Sequence, residues 1–145
     1  MDTIIEPLEK SQLPKVLALL NEAGLPSKDA AEHWQNFLVA SNNKELVGAV
    51  GVELYGRHGF VRSLVVKPAL RNHGLGKQLY AAAAMLARSK GVSELGLLTN
   101  TAENFFVREG FRKIEKESIP EFIKGTKEYT TFCPSSAVAM VKVLE

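Results

Sequence analysis

A single cysteine, Cys133, stands in these 145 residues, so no disulfide can close within the chain and no Cys-rich metal site can form. A chain so poor in thiols suits a reducing cytoplasm. The three histidines, His33, His58 and His73, lack the local spacing of a metal centre, and no metal is expected. Long apolar runs are missing as well. The most apolar helical stretch, Leu79 to Ala87, is far shorter than the roughly 20 residues of a membrane span, and the N-terminus lacks the basic and apolar segments of a leader. No charge of one sign dominates: 18 basic against 16 acidic residues leave +2, which gives no electrostatic reason to expect nucleic acid or a membrane as partner. Linkers rich in Pro, Gly or Ser, low-complexity tracts and internal repeats are also absent. Residues 1–145 are therefore expected to form one domain, with 46% hydrophobic residues to build its core.

What is present is an alternation of short apolar segments with helical patterns, which implies α/β (α+β) layers. After a first strand near Thr3 to Pro7, Ser11 reads as an N-cap, Leu13, Val16, Leu17 and Leu20 form an amphipathic stripe, and Gly24 closes the helix. A weaker helical piece, Lys28 to Trp34, leads into Phe37 to Ala40. The turn Ser41 to Lys44 then opens the run Leu46 to Leu54, and the turn Tyr55 to Gly59 opens Phe60 to Val66, predicting an antiparallel meander stopped by Pro68. Leu75, Leu79, Ala82, Ala83 and Leu86 mark the strongest helix, from Gly74 to Lys90. Glu94 to Thr99 reads as a strand, Ala102 to Arg108 as a short helix before Gly110, and Phe111 to Ile114 and Ala137 to Val143 as the last strands.

Chemistry concentrates where the third meander strand gives way to that helix, at Arg71-Asn72-His73-Gly74-Leu75-Gly76-Lys77. Two glycines before a strong helix allow a sharp turn and leave the first helical N–H groups aimed outward, a natural seat for phosphate. Arg71 and Lys77 add positive charge. A Walker loop would need Gly at 71 and Ser or Thr at 78, and a dinucleotide fingerprint Gly or Ala at 79; the chain has Arg71, Gln78 and Leu79.

This segment resembles the acyl-CoA signature of the GNAT superfamily, Arg/Gln-x-x-Gly-x-Gly/Ala, at every specified position. It follows an apolar strand ending Leu64-Val65-Val66 and precedes an Ala-rich helix. Downstream, Ala102-Glu103-Asn104-Phe105-Phe106 followed by Gly110-Phe111 resembles the superfamily's Ala-x-x-Phe-Tyr…Gly-Phe segment. The resemblance implies the GNAT fold, a central mixed and mostly antiparallel sheet of six to seven strands with helices on both faces, and acetyl-CoA as cosubstrate. It implies a cleft where the strand ending at Val66 splays from the one ending at Thr99. There Leu64, Val65 and Val66 offer backbone groups to the thioester and pantetheine, Arg71 to Lys77 hold the pyrophosphate, and Thr99, Asn104 and Phe106 line the other side. The amine attacks the thioester directly. A homodimer is a family habit.

For the acid and base the sequence departs from the family pattern. Phe106 occupies the position of the Tyr that often serves as general acid, which leaves water or Tyr129 to protonate the thiolate. Phe60 stands where many members carry a Glu. Pairing Leu54 with Gly59 across the turn puts Glu53 opposite Phe60, making Glu53 the candidate base against the alternative of a solvated strand residue. Arg62 shares the Phe60 face and is the candidate clamp for a substrate carboxylate, against a surface salt bridge. Ser63 has no partners at triad spacing. His73 is a loop contact near phosphate, Trp34 a packing residue, and Cys133 a structural thiol rather than an acyl carrier.

The segment Ser118 to Ser136 is polar, punctuated and placed to line the acceptor side. With the hairpin Glu53 to Gly59 it resembles short GNAT proteins known as arsenic-resistance N-acetyltransferases, through Ile119-Pro120, Thr126-x-Glu128 and Cys133-Pro134-x-Ser136-Ala137. It is also similar to the acetyltransferase domain of N-acetylglutamate synthases. Both imply a small-molecule amine acceptor, an α-amino acid or glutamate-like analogue, with Arg62, Lys124 or Lys127 available for acidic groups. Lys124, Lys127 and Glu128 read equally as a solvated charge run. A peptide acceptor and a non-catalytic acetyl-CoA-binding module stay open.

Overall fold

A computed structural model describes residues 3–132 and 137–144. Its strands are β1 (Thr3–Pro7), β2 (Phe37–Asn42), β3 (Glu45–Tyr55), β4 (His58–Val66), β5 (Glu94–Thr99), β6 (Arg112–Ile114) and β7 (Val138–Val143). The α-helices are α1 (Leu13–Glu22), α2 (Leu75–Ser89), α3 (Glu103–Arg108) and α4 (Glu121–Lys124). The seven strands are hydrogen-bonded in the order β1-β2-β3-β4-β5-β7-β6. Pairing is antiparallel at β1-β2, β2-β3, β5-β7 and β6-β7 and parallel at β4-β5, which is the expected mixed, mostly antiparallel sheet. The chain resolves into two compact units, the first holding residues up to 53 and 61–86, the second residues 54–60 and those from 87 onward. The tip of the β3–β4 hairpin thus belongs with the second unit and its stem with the first.

In the first unit, α1 turns Val16, Leu19 and Leu20 onto Leu8, Ala30, Phe37, Val39, Leu46, Ala49 and Val65, with Leu13, Leu17, Leu25 and Trp34 closing the edge. Val16 and Leu20 of the predicted stripe are fully buried, Leu13 and Leu17 sit at the edge and Leu19 joins the buried face, and this burial is what makes a ten-residue helix stable. Strand β3 is buried from Leu46 through Glu53 without alternation, because both its faces are covered. Gly51 is required there: the Phe37 ring lies 2.4 Å from where its Cβ would stand. Asn43 and Lys44 both take positive φ, the two-residue turn that matches strand twist and fixes Asn42 opposite Glu45. The weak helical piece runs later than predicted, as a 3-10 turn at Ala30–Asn36 that loses helical geometry at His33. The turn predicted over Tyr55 to Gly59 shrinks to Gly56-Arg57, with Gly56 at φ 65, and both strands extend toward it.

The second unit packs Phe60, Ile123 and Val141 with Leu98, Ile114, Ile119, Phe122 and Tyr129. The stretch read as polar and punctuated therefore supplies core. Helix α4 turns Ile123 inward over Gly96, where a Cβ would meet Ile123 and Phe122 at 2.8 Å. Buried Thr126 donates its hydroxyl to the Ile123 carbonyl (2.8 Å) and accepts from the Tyr129 N–H (3.1 Å), joining α4 to a π-turn at Glu128–Phe132. Glu128 is buried by that turn rather than solvated, the outcome that its place among charged neighbours concealed.

Candidate active site

Strands β3 and β4 bring Glu53 and Arg62 together deep in the first unit, and the segment before β2 adds two more groups. The Arg62 guanidinium donates both Nη atoms to Asp29 (2.6 and 2.9 Å), Nη1 also to Glu53 Oε2 (2.7 Å), and Nε to Ser63 Oγ (3.1 Å). His33 Nε2 lies 3.6 Å from the same Glu53 oxygen. Glu53 is 1% exposed and the Arg62 side chain 0%, so this is a buried charge network and neither a solvated strand glutamate nor a surface salt bridge. The bidentate fork expected to meet a substrate carboxylate is engaged by Asp29, 33 positions away in the chain. Ser63 holds φ 60, rare for a non-glycine residue in a strand. That kink places a hydroxyl on the Arg62 Nε although strict alternation would put Ser63 on the opposite face.

Burial alone would raise the Asp29 carboxyl, but the hydrogen bonds and charge of Arg62, a backbone hydrogen bond and His33 together hold it below its ordinary 3.8. A carboxylate with a folded pKa below its unfolded one stabilises the fold fully above the unfolded value, and the contribution is lost as pH falls from there through the folded value. The stability gap between the native chain and Asp29→Asn should therefore be full at pH 6 and shrink progressively below about pH 3.8. Urea unfolding across pH 3–7 checks this; a gap that is constant or widens toward acid would contradict the ion pair. By distance Asp29, His33 and Glu53 could also surround a cation, but Arg62 takes both Asp29 oxygens and Glu53 Oε2.

After β4, Lys67 donates its N–H to the Val47 carbonyl and Arg71 donates Nε to the Val66 carbonyl (3.0 Å), fixing where the next loop starts. Asn72 (φ 68) and Gly74 (φ 82) turn the chain, and α2 begins at Leu75. The Gln78 N–H bonds the Gly74 carbonyl, so the N–H groups of Leu75, Gly76 and Lys77 lead the helix. Arg71, Asn72, His73, Gly74 and Lys77 are exposed around them while Leu75 is buried beneath. Positive charge, the N–H groups that lead the helix and backbone shape fit a polyanion such as the diphosphate of acetyl-CoA. Leu64, Val65 and Val66 form the strand end that leads into this loop.

The other predicted residues lie in the second unit. Thr99 ends β5, its hydroxyl accepting the Ala102 N–H (3.0 Å). Asn104 is exposed on α3, and Phe106 is buried edge-on against Phe105 and Phe111. Tyr129 is half-buried in the apolar cluster, Lys124 is half-buried on α4 and Lys127 exposed. Cys133 lies outside the described residues. Sequence reasoning missed Asp29 and His33; the one local signal was their spacing of four on a helical piece.

A mixed sheet whose fourth strand runs into an anion-ready helix start is the arrangement expected of an acyl-CoA-dependent transferase. The acetyltransferase (GNAT) domain family matches residues 33–113, more than half of the chain, and the protein belongs to that family. It is a GNAT-type N-acetyltransferase dependent on acetyl-CoA. An uncharacterized N-acetyltransferase of Chlorobaculum tepidum is 34% identical over 118 residues, covering 78% of this chain and 74% of that protein. The amino-acid acetyltransferase of Neisseria meningitidis serogroup B is 28% identical over 127 residues, covering 81% of this chain but only 29% of that protein's length. Among solved structures, N-acetylglutamate synthase from Neisseria gonorrhoeae, complexed with coenzyme A and N-acetyl-glutamate, superposes with TM-score 0.85 at 23% identity over 100% of this chain and 36% of that one. Rv2747 from Mycobacterium tuberculosis, in complex with CoA and NLQ, gives 0.84 at 22% identity over 98% and 99%. No helix among the described residues is long and apolar enough to cross a membrane.

Proposed function

We propose that the acceptor is the primary amine of a small molecule, an amino acid or glutamate-like analogue, acetylated by direct transfer within a ternary complex. The observation that carries the mechanism is that one unit holds both a loop fit for the acetyl-CoA diphosphate and a buried carboxylate, Glu53, immobilised by Arg62. The amino-acid acetyltransferase relatives support the acceptor class. With the diphosphate on Arg71 to Lys77, the thioester lies along Leu64 to Val66, whose backbone N–H groups stabilise the developing oxyanion by about 3 kcal/mol per donor. The amine nitrogen bonds to the thioester carbonyl carbon, the carbon–sulfur bond breaks, and Glu53 takes the amine proton directly or through one water. Phe106 has no proton to give, so the thiolate takes one from water. On this reading Arg62 is a positioning residue that aims Glu53.

Release of CoA, followed with a thiol reagent, tests the proposal on a panel of glutamate, methionine, a phosphorus-containing glutamate analogue and an N-terminal peptide. Turnover with an acidic amino acid is expected. Turnover confined to the peptide would transfer the acceptor to proteins, and acetyl-CoA binding without turnover would remove catalysis.

A further inference from the structure

A buried base that accepts a proton in every turnover must return it to water, and with the acceptor side filled by substrate or product the burial of Glu53 leaves it no direct route. Asp29, Glu53, Arg62 and Ser63 are all buried, whereas His33, beside Glu53, is 25% exposed. Its Nε2 stands 3.6 Å from Glu53 Oε2, close enough for a small rotation to complete a hydrogen bond. His33 is also where the 3-10 turn breaks helical geometry (φ −118, ψ 17), so the ring is carried by a local distortion of the backbone.

From these observations we propose that His33 is the proton exit of the site: it relays the proton taken by Glu53 to bulk water. The inference rests on Glu53 being the base. In balance, the amine proton passes to the Glu53 carboxylate and from there to the neutral imidazole at Nε2. The imidazolium gives its Nδ1 proton to water or buffer, and the ring returns to its starting tautomer by exchange. Two carboxylates stand near His33, Glu53 from β3 and Asp29 from the turn before its own element, and Arg62 from β4 is hydrogen-bonded to both. Lys10, on a separate 3-10 turn at Lys10–Gln12, lies over the ring of Trp34, the residue after His33. Arg62 cannot substitute, since a guanidinium keeps its proton, and Asp29 is itself buried on that guanidinium.

The test uses the panel amine with the highest turnover, in dilute buffer. His33→Ala is expected to lower kcat at saturating amine by about 10-fold or more with KM for acetyl-CoA unchanged, and added imidazole should restore it in proportion to its concentration, while the native chain ignores buffer. His33→Gln, which keeps the polar contact but cannot carry a proton, should fall as far, and matching thermal melts exclude unfolding. If Glu53→Gln is inactive but His33→Ala turns over normally in dilute buffer, the relay is wrong and the base stands. A loss that imidazole does not restore assigns His33 a packing role and also overturns the relay. Undiminished turnover of Glu53→Gln, or no turnover with any amine, removes the base and the relay together.

Discussion

Arg62→Ala is expected to destabilise the protein by about 3–5 kcal/mol, enough to unfold a large share of a chain whose whole stability is on the order of 5–15 kcal/mol. The loss of packing is the smaller part. Asp29 and Glu53 would face each other in a buried site with no cation between them, and Ser63 would lose its partner while keeping a strained backbone. Chemical denaturation at pH 7 measures the effect, and pH supplies an independent check. Without the guanidinium, burial dominates at Asp29 and raises its carboxyl, so the variant gains stability as pH falls through that raised value. The native chain instead loses the Asp29 contribution below about 3.8, and the two stability curves should approach each other in acid. A triple variant, Asp29→Asn with Glu53→Gln and Arg62→Met, removes all three charges and should recover much of the loss. If Arg62→Ala costs under about 1 kcal/mol, the network is not closed in solution.

Glu53→Gln should separate chemistry from folding in the opposite way. Glutamine keeps an oxygen for the Arg62 Nη1 donor and nearly the same volume, so stability should change little beside the Arg62→Ala loss. It cannot accept the amine proton, so kcat should fall by about 100-fold or more, with binding of acetyl-CoA at the Arg71 to Lys77 loop intact. Steady-state rates at saturating amine, with calorimetric titration of acetyl-CoA, distinguish the two effects. Unchanged kcat would make Glu53 a structural partner of Arg62 alone.

The sequence displayed the features that local rules govern. Val16 and Leu20 mark the inward face of α1, and Gly74 and Gly76 announce the start of α2, because helical period and backbone freedom act over a few residues. Glu53 and Arg62 could be set on one face by counting across a hairpin. What lay beyond reach was Asp29, which meets Arg62 across 33 positions through a 3-10 turn that propensity described only as weak helix. The same Arg62 therefore looked available to a ligand. Glu128 illustrates the converse problem, since charged neighbours predict solvent until Thr126 closes the π-turn around it. Ser63 gave no signal, because nothing in a serine within an apolar run announces a positive φ.

Because Asp29 and Glu53 both precede Arg62, the guanidinium that each of them bonds, the network also sets an order on synthesis. A nascent chain emerging from the ribosome carries two acidic residues destined for the interior before Arg62 exists to neutralise them, so its first half cannot settle into the native core early. Folding of that unit must wait for β4, and a pause in translation shortly before residue 62 would prolong the interval in which α1 and β3 present unburied apolar surface to chaperones.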